Sequence, residues 1–583
     1  MAKQDHHQAA EMSIKQDVFM AAKDGNLSNL KVFLDHMTQE EVSTLVSAKT
    51  SNGSTPLVVS CWHGHKEVVE FLVDKCCASI EQTGTITIIM GKAGSITMRQ
   101  DSIGNIVEAP PLWCAAAAGH LDIVEMLVKS GARIDVDAYR MTPLLVACVK
   151  PHLHIINYFI NEKKELLTKK ERIDAFELLG ATCINKKQDI PGALELWKTA
   201  MKERYEDGIL VIPKLINKSP ISAYNNMLEV ETMMELEQII SEPDTLQMQA
   251  LMVRERILGP ANPITSFWIM YRGSMIAKTG HFNRAITLWM YALEMQETFS
   301  ISLSIMVDTF LGFARLFSLM MSHGGYPREK MFANMTLQRS QSTLAVLEKS
   351  LNEISNTLPM RVKFIDIMMV FRRMIKVLGE GHCALLDAGD LRNRDRNSID
   401  NIIAILVHLV CLLTKQIPHL EKEKVSEVKK AVSQFVTAGF KVKEGSTPLH
   451  IACCRNISGF LDTRCTSFQI CSLPSLPTIN LLLECGAPVN ARNDDGNTAL
   501  HIAARKPVDA EVIQSLLQNG AHYDMVNNEK KTFYDLLQGT PLHEITNLAA
   551  HSRLACLAAR VVRKHDLELD SLPLTLKDFV LNH

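Results

Sequence analysis

The residue types that most often do chemistry occur in this chain, but their spacing does not fit catalysis or metal binding. The fourteen cysteines include the adjacent pairs Cys76-Cys77 and Cys453-Cys454, and no two cysteines have the Cys-x-x-Cys spacing of a zinc or redox site. The sequence also lacks a glycine-rich phosphate loop and the His-Glu-x-x-His motif of zinc proteases. We therefore predict a protein that is not an enzyme and that needs no cofactor and no metal.

Charge and composition narrow the classes of partner. Lys and Arg number 62 against 64 for Asp and Glu, so we expect no general attraction to nucleic acid or to an anionic membrane. No uninterrupted apolar run reaches the roughly 18 residues that suggest a membrane-spanning helix. Because the cysteines are scattered and no secretory signal opens the chain, we expect reduced thiols and a location in the cytosol or the nucleus.

Apolar residues near the C-terminus have the spacing of a helix that binds through one face. Leu554, Leu557, Ala558 and Val562 follow one another at intervals of three, one and four residues. These intervals place all four side chains on one side of an α-helix. The pattern fits either a cap on the preceding domain or a docking helix for another protein.

A second apolar pattern follows after a charged spacer. Leu572-Pro573 precedes Thr575, a candidate helix cap, and the apolar face of the helix would consist of Leu576 and Val580. Helices shorter than roughly 12 residues are marginal in water, so this helix must pack against the rest of the chain or against a partner.

The N-terminal part is organised by a repeat. Thr55-Pro56-Leu57, Pro110-Pro111-Leu112 and Thr142-Pro143-Leu144 each open a helical segment, and the second and third are 32 positions apart, close to the ankyrin period of about 33. We predict ankyrin repeats over residues 13–165, with an insertion over residues 83–106 that forms a hairpin or a long loop.

Two histidines, His65 and His120, follow the glycine that ends the first helix of a repeat. We expect them to tie neighbouring loops together rather than to bind a metal. The Val-Val and Ile-Val pairs that follow should fill the layer between repeats, because a single repeat cannot bury its own apolar face.

The rest of the chain predicts an all-α fold. Residues 170–300 have the spacing of tetratricopeptide-like helix pairs, and residues 301–443 continue in helical periodicity. A second ankyrin block over residues 445–540 is indicated by the Gly-Ala endings at Gly486 and Gly520, which are 34 positions apart.

The order of these segments resembles the Fem (feminization) family of substrate receptors of cullin-2 RING ubiquitin ligases. The most specific pieces are Glu177-Leu178-Leu179-Gly180-Ala181-Thr182, Val253-Arg254-Glu255-Arg256-Ile257-Leu258-Gly259-Pro260 and Cys556-Leu557-Ala558-Ala559-Arg560-Val561. The tail over residues 550–583 looks like an elongin C box followed by a cullin-2 box.

The resemblance implies a non-catalytic adaptor. The N-terminal ankyrin groove would hold the C-terminal degron of a target protein, and the tail would recruit elongin B, elongin C and cullin-2. The alternative is a ligase-independent ankyrin scaffold or a decoy. The sequence leaves open whether the chain forms a homodimer through its helical middle.

Compared with the family pattern, the N-terminal array is shortened, with three clear repeats and a degenerate first copy. Family members that read arginine use carboxylates in the groove, whereas this chain has Lys150 at an equivalent place, where it would repel arginine. The residues that we assign to substrate binding are Asp101, Glu108, Trp113, Met141 and Lys150. Trp113 would supply an apolar wall of the pocket, or it would pack between repeats.

Overall fold

The computed structural model describes residues 14–50, 53–90, 96–97, 105–186, 189–206, 209–214, 219–299, 302–321, 362–387, 393–442, 444–455, 473–505, 508–537, 558, 561–562 and 580. These residues are mostly helical, which confirms the predicted fold class, and five short strands occur among them. They form two compact units, one comprising the described residues up to Ser302 and the other those from Leu303 onward.

The first unit begins with short helices arranged in repeats. Thr55 and Thr142 start two of these helices by accepting hydrogen bonds from the backbone N–H groups of Val58 and Leu145, at 3.3 and 3.2 Å. A proline in the first turn suits a position whose N–H would be unpaired in any case. The helices are α1 (residues 14–23), α2 (Leu27–Leu34), α3 (Gln39–Ser47), α4 (Pro56–His63), α5 (Lys66–Asp74), α6 (Pro111–Ala118), α7 (Leu121–Lys129), α8 (Pro143–Val149) and α9 (Leu153–Asn157).

The insertion between α5 and α6 folds into a small antiparallel sheet. Its strands are β1 (Gly84–Met90), β2 (Ile96–Thr97) and β3 (Asn105–Ala109), in the order β2-β1-β3. Ile86 and Val107 are directly opposite each other and both are buried. The sequence analysis predicted a hairpin or a long loop for this segment. The structure has paired antiparallel strands, as in a hairpin, and the sheet contains three strands.

The helical middle of the first unit is held together by glycine–tryptophan contacts. The Trp197 indole N–H donates to the carbonyl oxygen of Glu177 at 2.9 Å, and the ring lies against Gly180. Trp289 repeats this arrangement against Gly273. The elements are α10 (Lys169–Lys186), α11 (Ile190–Glu203), β4 (Tyr205–Glu206), β5 (Ile209–Leu210), α12 (Met233–Ile239), α13 (Pro243–Leu258), α14 (Pro263–Lys278) and α15 (Phe282–Thr298).

The second unit contains long helices followed by the second ankyrin block. In that block His450 and His501 reach back to the Thr residues that cap their own helices, and their Nε2 atoms donate to the carbonyl oxygens of Asn497 and Lys531. The helices are α16 (Leu303–Met321), α17 (Phe364–Asp387), α18 (Asn393–Gln416), α19 (Lys422–Thr437), α20 (Pro448–Cys453), α21 (Leu476–Glu484), α22 (Ala499–Ala503), α23 (Ala510–Gln518) and α24 (Phe533–Leu537).

One helical segment of the second unit, Arg396–His419, is long and apolar enough to cross a membrane by length and composition alone. The sequence prediction counted uninterrupted apolar residues, and His408 divides the apolar part of this segment. However, 89% of its apolar window is buried inside the protein, as in the core helix of a compact fold.

Candidate protein-binding surface

The N-terminal ankyrin stack is tied together by histidines. The ring Nε2 of His65 donates to the carbonyl oxygen of Lys23 at 2.8 Å, and that of His120 donates to the carbonyl oxygen of Trp62 at 3.1 Å. His152 makes the same link to Ala117 at 3.3 Å. Each histidine thus reaches back one repeat, as the sequence predicted for His65 and His120.

Glycine makes room for these histidine rings. Gly119 adopts a left-handed φ of +91°, and a Cβ added to it would lie 2.9 Å from the ring of His152. The third repeat has Pro151 at the corresponding place, and its His152 N–H still donates to the carbonyl oxygen of Ala147 at 3.0 Å. The second and third repeats therefore pack as ordinary neighbours in the shortened array.

The inserted sheet connects two loops of the stack. The Thr85 N–H donates to the carbonyl oxygen of Gly53 at 3.0 Å, and the Ala138 N–H donates to the carbonyl oxygen of Glu108 at 3.2 Å. Strands β1 and β3 therefore lie between the loop of the first repeat and the loop of the third. A protein-binding surface on this side of the stack would include the sheet.

Glu108 is engaged within the stack. Its Oε1 atom accepts hydrogen bonds from Lys49 Nζ at 2.8 Å and from Thr83 Oγ1 at 2.7 Å. These two hydrogen bonds hold the pKa of the Glu108 carboxyl below its usual range. The side chain is still 52% exposed, so a ligand that approached it would have to compete with Lys49. Asp101, the other predicted carboxylate, lies outside the described residues.

Two of the predicted substrate-binding residues are in the core. Trp113 is 1% exposed and Met141 is 2% exposed. The burial of Trp113 favours packing between repeats over an apolar wall for a ligand, because no face of its ring is open to the surface. The Met141 N–H donates to Asp137 Oδ1 at 2.8 Å, which fixes the loop that leads into α8.

Asp137 is a buried carboxylate that the sequence prediction did not include. Burial raises its pKa to about 6, against the opposing effect of hydrogen bonds from the N–H groups of Met141 and Tyr139. Aspartate side chains in loops commonly accept hydrogen bonds from backbone N–H groups a few residues further along the chain. The presence of an aspartate a few residues before Met141 could therefore have indicated this contact from the sequence. Its role is to shape the loop.

Lys150 lies over an aromatic ring two repeats away. Its Nζ atom is 5.1 Å from the centroid of the Trp62 ring, a cation–π arrangement. Helix α6, which lies between them in the repeat order, ends in alanines, and Ala117 is fully buried while Ala118 is half-buried. Small side chains at this end of α6 leave space for Lys150. Lys150 thus places a positive charge on the side of the stack formed by the first helices of the repeats, α4, α6 and α8, which we call the inner-helix side.

The tail is described at four positions. Ala558, Val561 and Val562 are helical, with Ala558 exposed, Val561 53% exposed and Val562 half-buried. Val580 is helical and buried. The other predicted residues of the two boxes lie outside the described residues, namely Leu554, Leu557, Leu572, Pro573 and Leu576.

Three consecutive charged residues of α13 hold the helical middle together. Arg256 pairs with Glu177 and with Glu229, whose Oε2 atom lies 2.9 Å from Arg256 Nε. Glu255 accepts hydrogen bonds from the hydroxyls of Tyr224 and Tyr291. Arg254 points into the interior.

A buried ionic cluster surrounds Glu177, which is 3% exposed. Arg204 donates to both of its carboxylate oxygens, and Lys214 Nζ lies 3.1 Å from Glu229 Oε1. The sequence prediction used Glu177 and Arg256 only as parts of the resemblance, since nothing in their spacing showed that they would meet. Within the described residues, no group of three or more His, Cys, Asp or Glu side chains could hold a metal ion.

Comparison with known proteins gives one consistent result. Family models described as ankyrin repeats match residues 52–84, 97–170, 444–494 and 482–537. The Drosophila melanogaster protein named Protein fem-1 homolog CG6966 is 32% identical over 693 aligned positions, which cover 98% of this chain and 100% of the fly protein. Protein fem-1 homolog C from Homo sapiens is 32% identical over 662 positions, with the same two coverages.

A third relative, Protein fem-1 homolog A from Danio rerio, is 36% identical over 445 positions, covering 76% of this chain and 65% of the fish protein. The alignments with the fly and human proteins are longer than the 583 residues of this chain. Those two relatives therefore contain residues that this chain lacks.

Proposed function

Since this chain belongs to the Fem-1 family of ankyrin-repeat proteins, we propose that it is the substrate-recognition subunit of a cullin-2 RING ubiquitin ligase. The observation that carries the proposal is similarity to Fem-1 homologues over nearly the full chain, with ankyrin repeats in two blocks. The N-terminal stack would hold the target protein, and the tail would recruit elongin B, elongin C and cullin-2.

The structure supports the binding role of the stack. Its repeats are joined by histidine links, so it presents a preorganised surface that loses little conformational freedom on binding. The ligase would act by proximity, because holding a target near a charged conjugating enzyme raises the effective concentration of acceptor lysines. No residue of this chain would take part in covalent chemistry.

The exposed apolar side chain of Val561 supports the proposed role of the tail. It is helical and 53% exposed, and Ala558, a member of the predicted elongin C box, is also helical and exposed. Exposed apolar side chains on a helix are the kind of contact that a partner groove covers.

Co-purification of the full chain with elongin B, elongin C and cullin-2 tests the proposal. We expect Leu554→Ser to weaken elongin C binding, and Leu572→Ser with Pro573→Ala to weaken cullin-2 binding. Burial of one leucine contributes roughly 1.5 to 3 kcal/mol, so affinity should fall about tenfold or more. Val32→Ser changes an apolar residue of α2 that is 70% exposed, and it should leave both interactions intact.

The second candidate is a scaffold or decoy that binds target proteins without the ligase. It is favoured by the absence of residues that the longer relatives have and by the lysine on the inner-helix side of the stack. If the intact chain failed to bind elongin C and cullin-2 while retaining its fold, the adaptor proposal would be wrong and this second function would stand.

A further inference from the structure

The guanidinium of Arg254 is enclosed in the helical middle of the first unit. Its side chain is 0% exposed, and its Nη2 atom donates to Thr182 Oγ1 at 3.3 Å and to Asn185 Oδ1 at 3.2 Å. The guanidinium carbon lies 4.9 Å from the centroid of the Trp268 ring. All of these partners are neutral.

Two nitrogens of this guanidinium, Nε and Nη1, are buried and have no hydrogen-bond acceptor in the described part of the chain. Arg256, two residues further along α13, has Glu177 and Glu229 as counter-charges. Among the described residues Arg254 has no such carboxylate within ion-pair distance. Arginine in a protein interior is normally paired, because an uncompensated buried charge is costly.

The neighbours of Arg254 compensate this cost only in part. The face of Trp268 attracts a cation, but it provides no acceptor in the plane of the guanidinium, where Nε–H and Nη1–H point. Burial lowers the pKa of Arg254 to about 9, so the group still carries its charge at neutral pH. A bound water would accept hydrogen bonds but would bring no negative charge.

We propose that the first unit binds a small monovalent anion of halide size at Nε and Nη1 of Arg254, between α10, α13 and α14. The anion supplies both the missing acceptor and the missing counter-charge. It must be small because the guanidinium is fully enclosed by these helices. The site is independent of the proposed substrate and ligase interfaces, and it acts on the stability of the helical middle.

Thermal unfolding of the full chain tests this site. The Tm is measured by calorimetry at constant ionic strength while chloride or bromide replaces gluconate, an anion too large for the interior. We expect the Tm to rise by about 2 °C or more between 1 and 100 mM halide, because a ligand that binds only the folded state stabilises it. Arg254→Met, which keeps the length of the side chain, should abolish this dependence.

The matched control is Arg272→Met, which removes an arginine that pairs with Asp244 elsewhere on the same unit. It should keep the halide dependence. Because Arg254→Met could fail to fold, a crystal of the native chain grown with bromide gives a second readout, with an anomalous peak expected within hydrogen-bond distance of Nε and Nη1.

Four results would overturn the proposal. One is a native Tm that is the same in gluconate and in halide. Another is a halide effect that persists in Arg254→Met. The third is a bromide peak at Arg254 without any effect on Tm, which would indicate an adventitious ion only. Water at the site without bromide would assign the two donors to solvent.

Discussion

Glu177 shows how strongly a single residue can depend on partners that are distant in sequence. It lies on α10, and its carboxylate meets three cations. Arg204 directly follows α11, Lys214 lies in the segment before α12, and Arg256 belongs to α13. Burial by itself would raise the pKa of Glu177, but the three cations outweigh it and hold the pKa below the ordinary value of 4.5. The charged form of Glu177 therefore stabilises the folded state.

The sign of the pH effect follows from this direction. A carboxyl group with a lowered folded-state pKa contributes stability that is present above its unfolded value, near 4.5, and that is lost as the pH falls through the folded-state pKa. We expect the free energy of unfolding of the first unit to drop below about pH 4.5. All five tryptophans lie in this unit, so tryptophan fluorescence during denaturant unfolding measures it.

Glu177→Gln should lower the free energy of unfolding at pH 7 by about 3 kcal/mol, because it leaves buried cations without their shared counter-charge. The loss of stability between pH 5 and pH 3 should become shallower in this variant. Glu195→Gln is the control, since Glu195 is 70% exposed in its pair with Lys198 and should contribute less than about 1 kcal/mol. Equal effects of the two substitutions would show that the buried cluster does not stabilise the fold.

At the scale of elements, the sequence predicted the ankyrin helices well and the inserted sheet only in part. Thr-Pro at the start of a helix and Gly-His at its end are local signals, so α4 could be placed from its own residues. The three-stranded sheet depends on pairing between β1 and β3 across the insertion, which no local pattern fixes. The burial of Trp113 likewise depends on packing against neighbouring repeats, so the sequence left its role open.

The glycine–tryptophan contact between α10 and α11 gives a prediction for a pair of helices. A Cβ added to Gly180 would lie 2.6 Å from the Trp197 ring, whereas a Cβ added to Gly379 in α17 meets no atom within 4 Å. Alanine favours an isolated helix over glycine by about 1 kcal/mol. The same substitution should therefore have opposite signs at the two positions.

We expect Gly180→Ala to lower the Tm, because the Trp197 ring must move and its hydrogen bond to the Glu177 carbonyl oxygen is strained. Gly379→Ala should raise the unfolding free energy by about 0.5 to 1 kcal/mol. Far-UV circular dichroism follows both variants through thermal unfolding. A stabilising Gly180→Ala would mean that the close approach of α10 and α11 is not needed.

At the scale of the whole molecule, both ankyrin blocks and the family could be predicted from the sequence, because repeats and family motifs consist of residues that are adjacent in the sequence. The candidate site could be predicted only in part, because Lys150 was assigned from the sequence but its surroundings depend on residues that meet through the stack. Lys150 and Trp62 are two repeats apart, and only the fold shows that they are in contact. The candidate surface has a cation, Lys150, at the place where the family resemblance implies carboxylates in members that read arginine.

This difference predicts the peptide preference of the full chain. Peptides with a C-terminal arginine should bind less tightly than otherwise identical peptides with a C-terminal glutamine, because Lys150 repels the guanidinium. Unit charges near a protein surface interact by about 1 kcal/mol or more, so Lys150→Gln should improve binding of the arginine peptides by roughly fivefold. Fluorescence anisotropy of labelled peptides measures both affinities.

Lys31 provides the matched control for Lys150. Its Nζ atom also lies over an aromatic ring of the stack, 5.7 Å from the centroid of Phe71, but it belongs to α2 and contacts the second helix of the first repeat. Lys31→Gln removes the same charge from the same unit and should leave the peptide preference unchanged. Tight binding of arginine peptides by the native chain, or an equal effect of the two substitutions, would show that Lys150 does not set the specificity of the groove. A preference that only Lys150→Gln alters would place the bound C-terminus at the inner-helix side of the stack, next to the contact between Lys150 and Trp62.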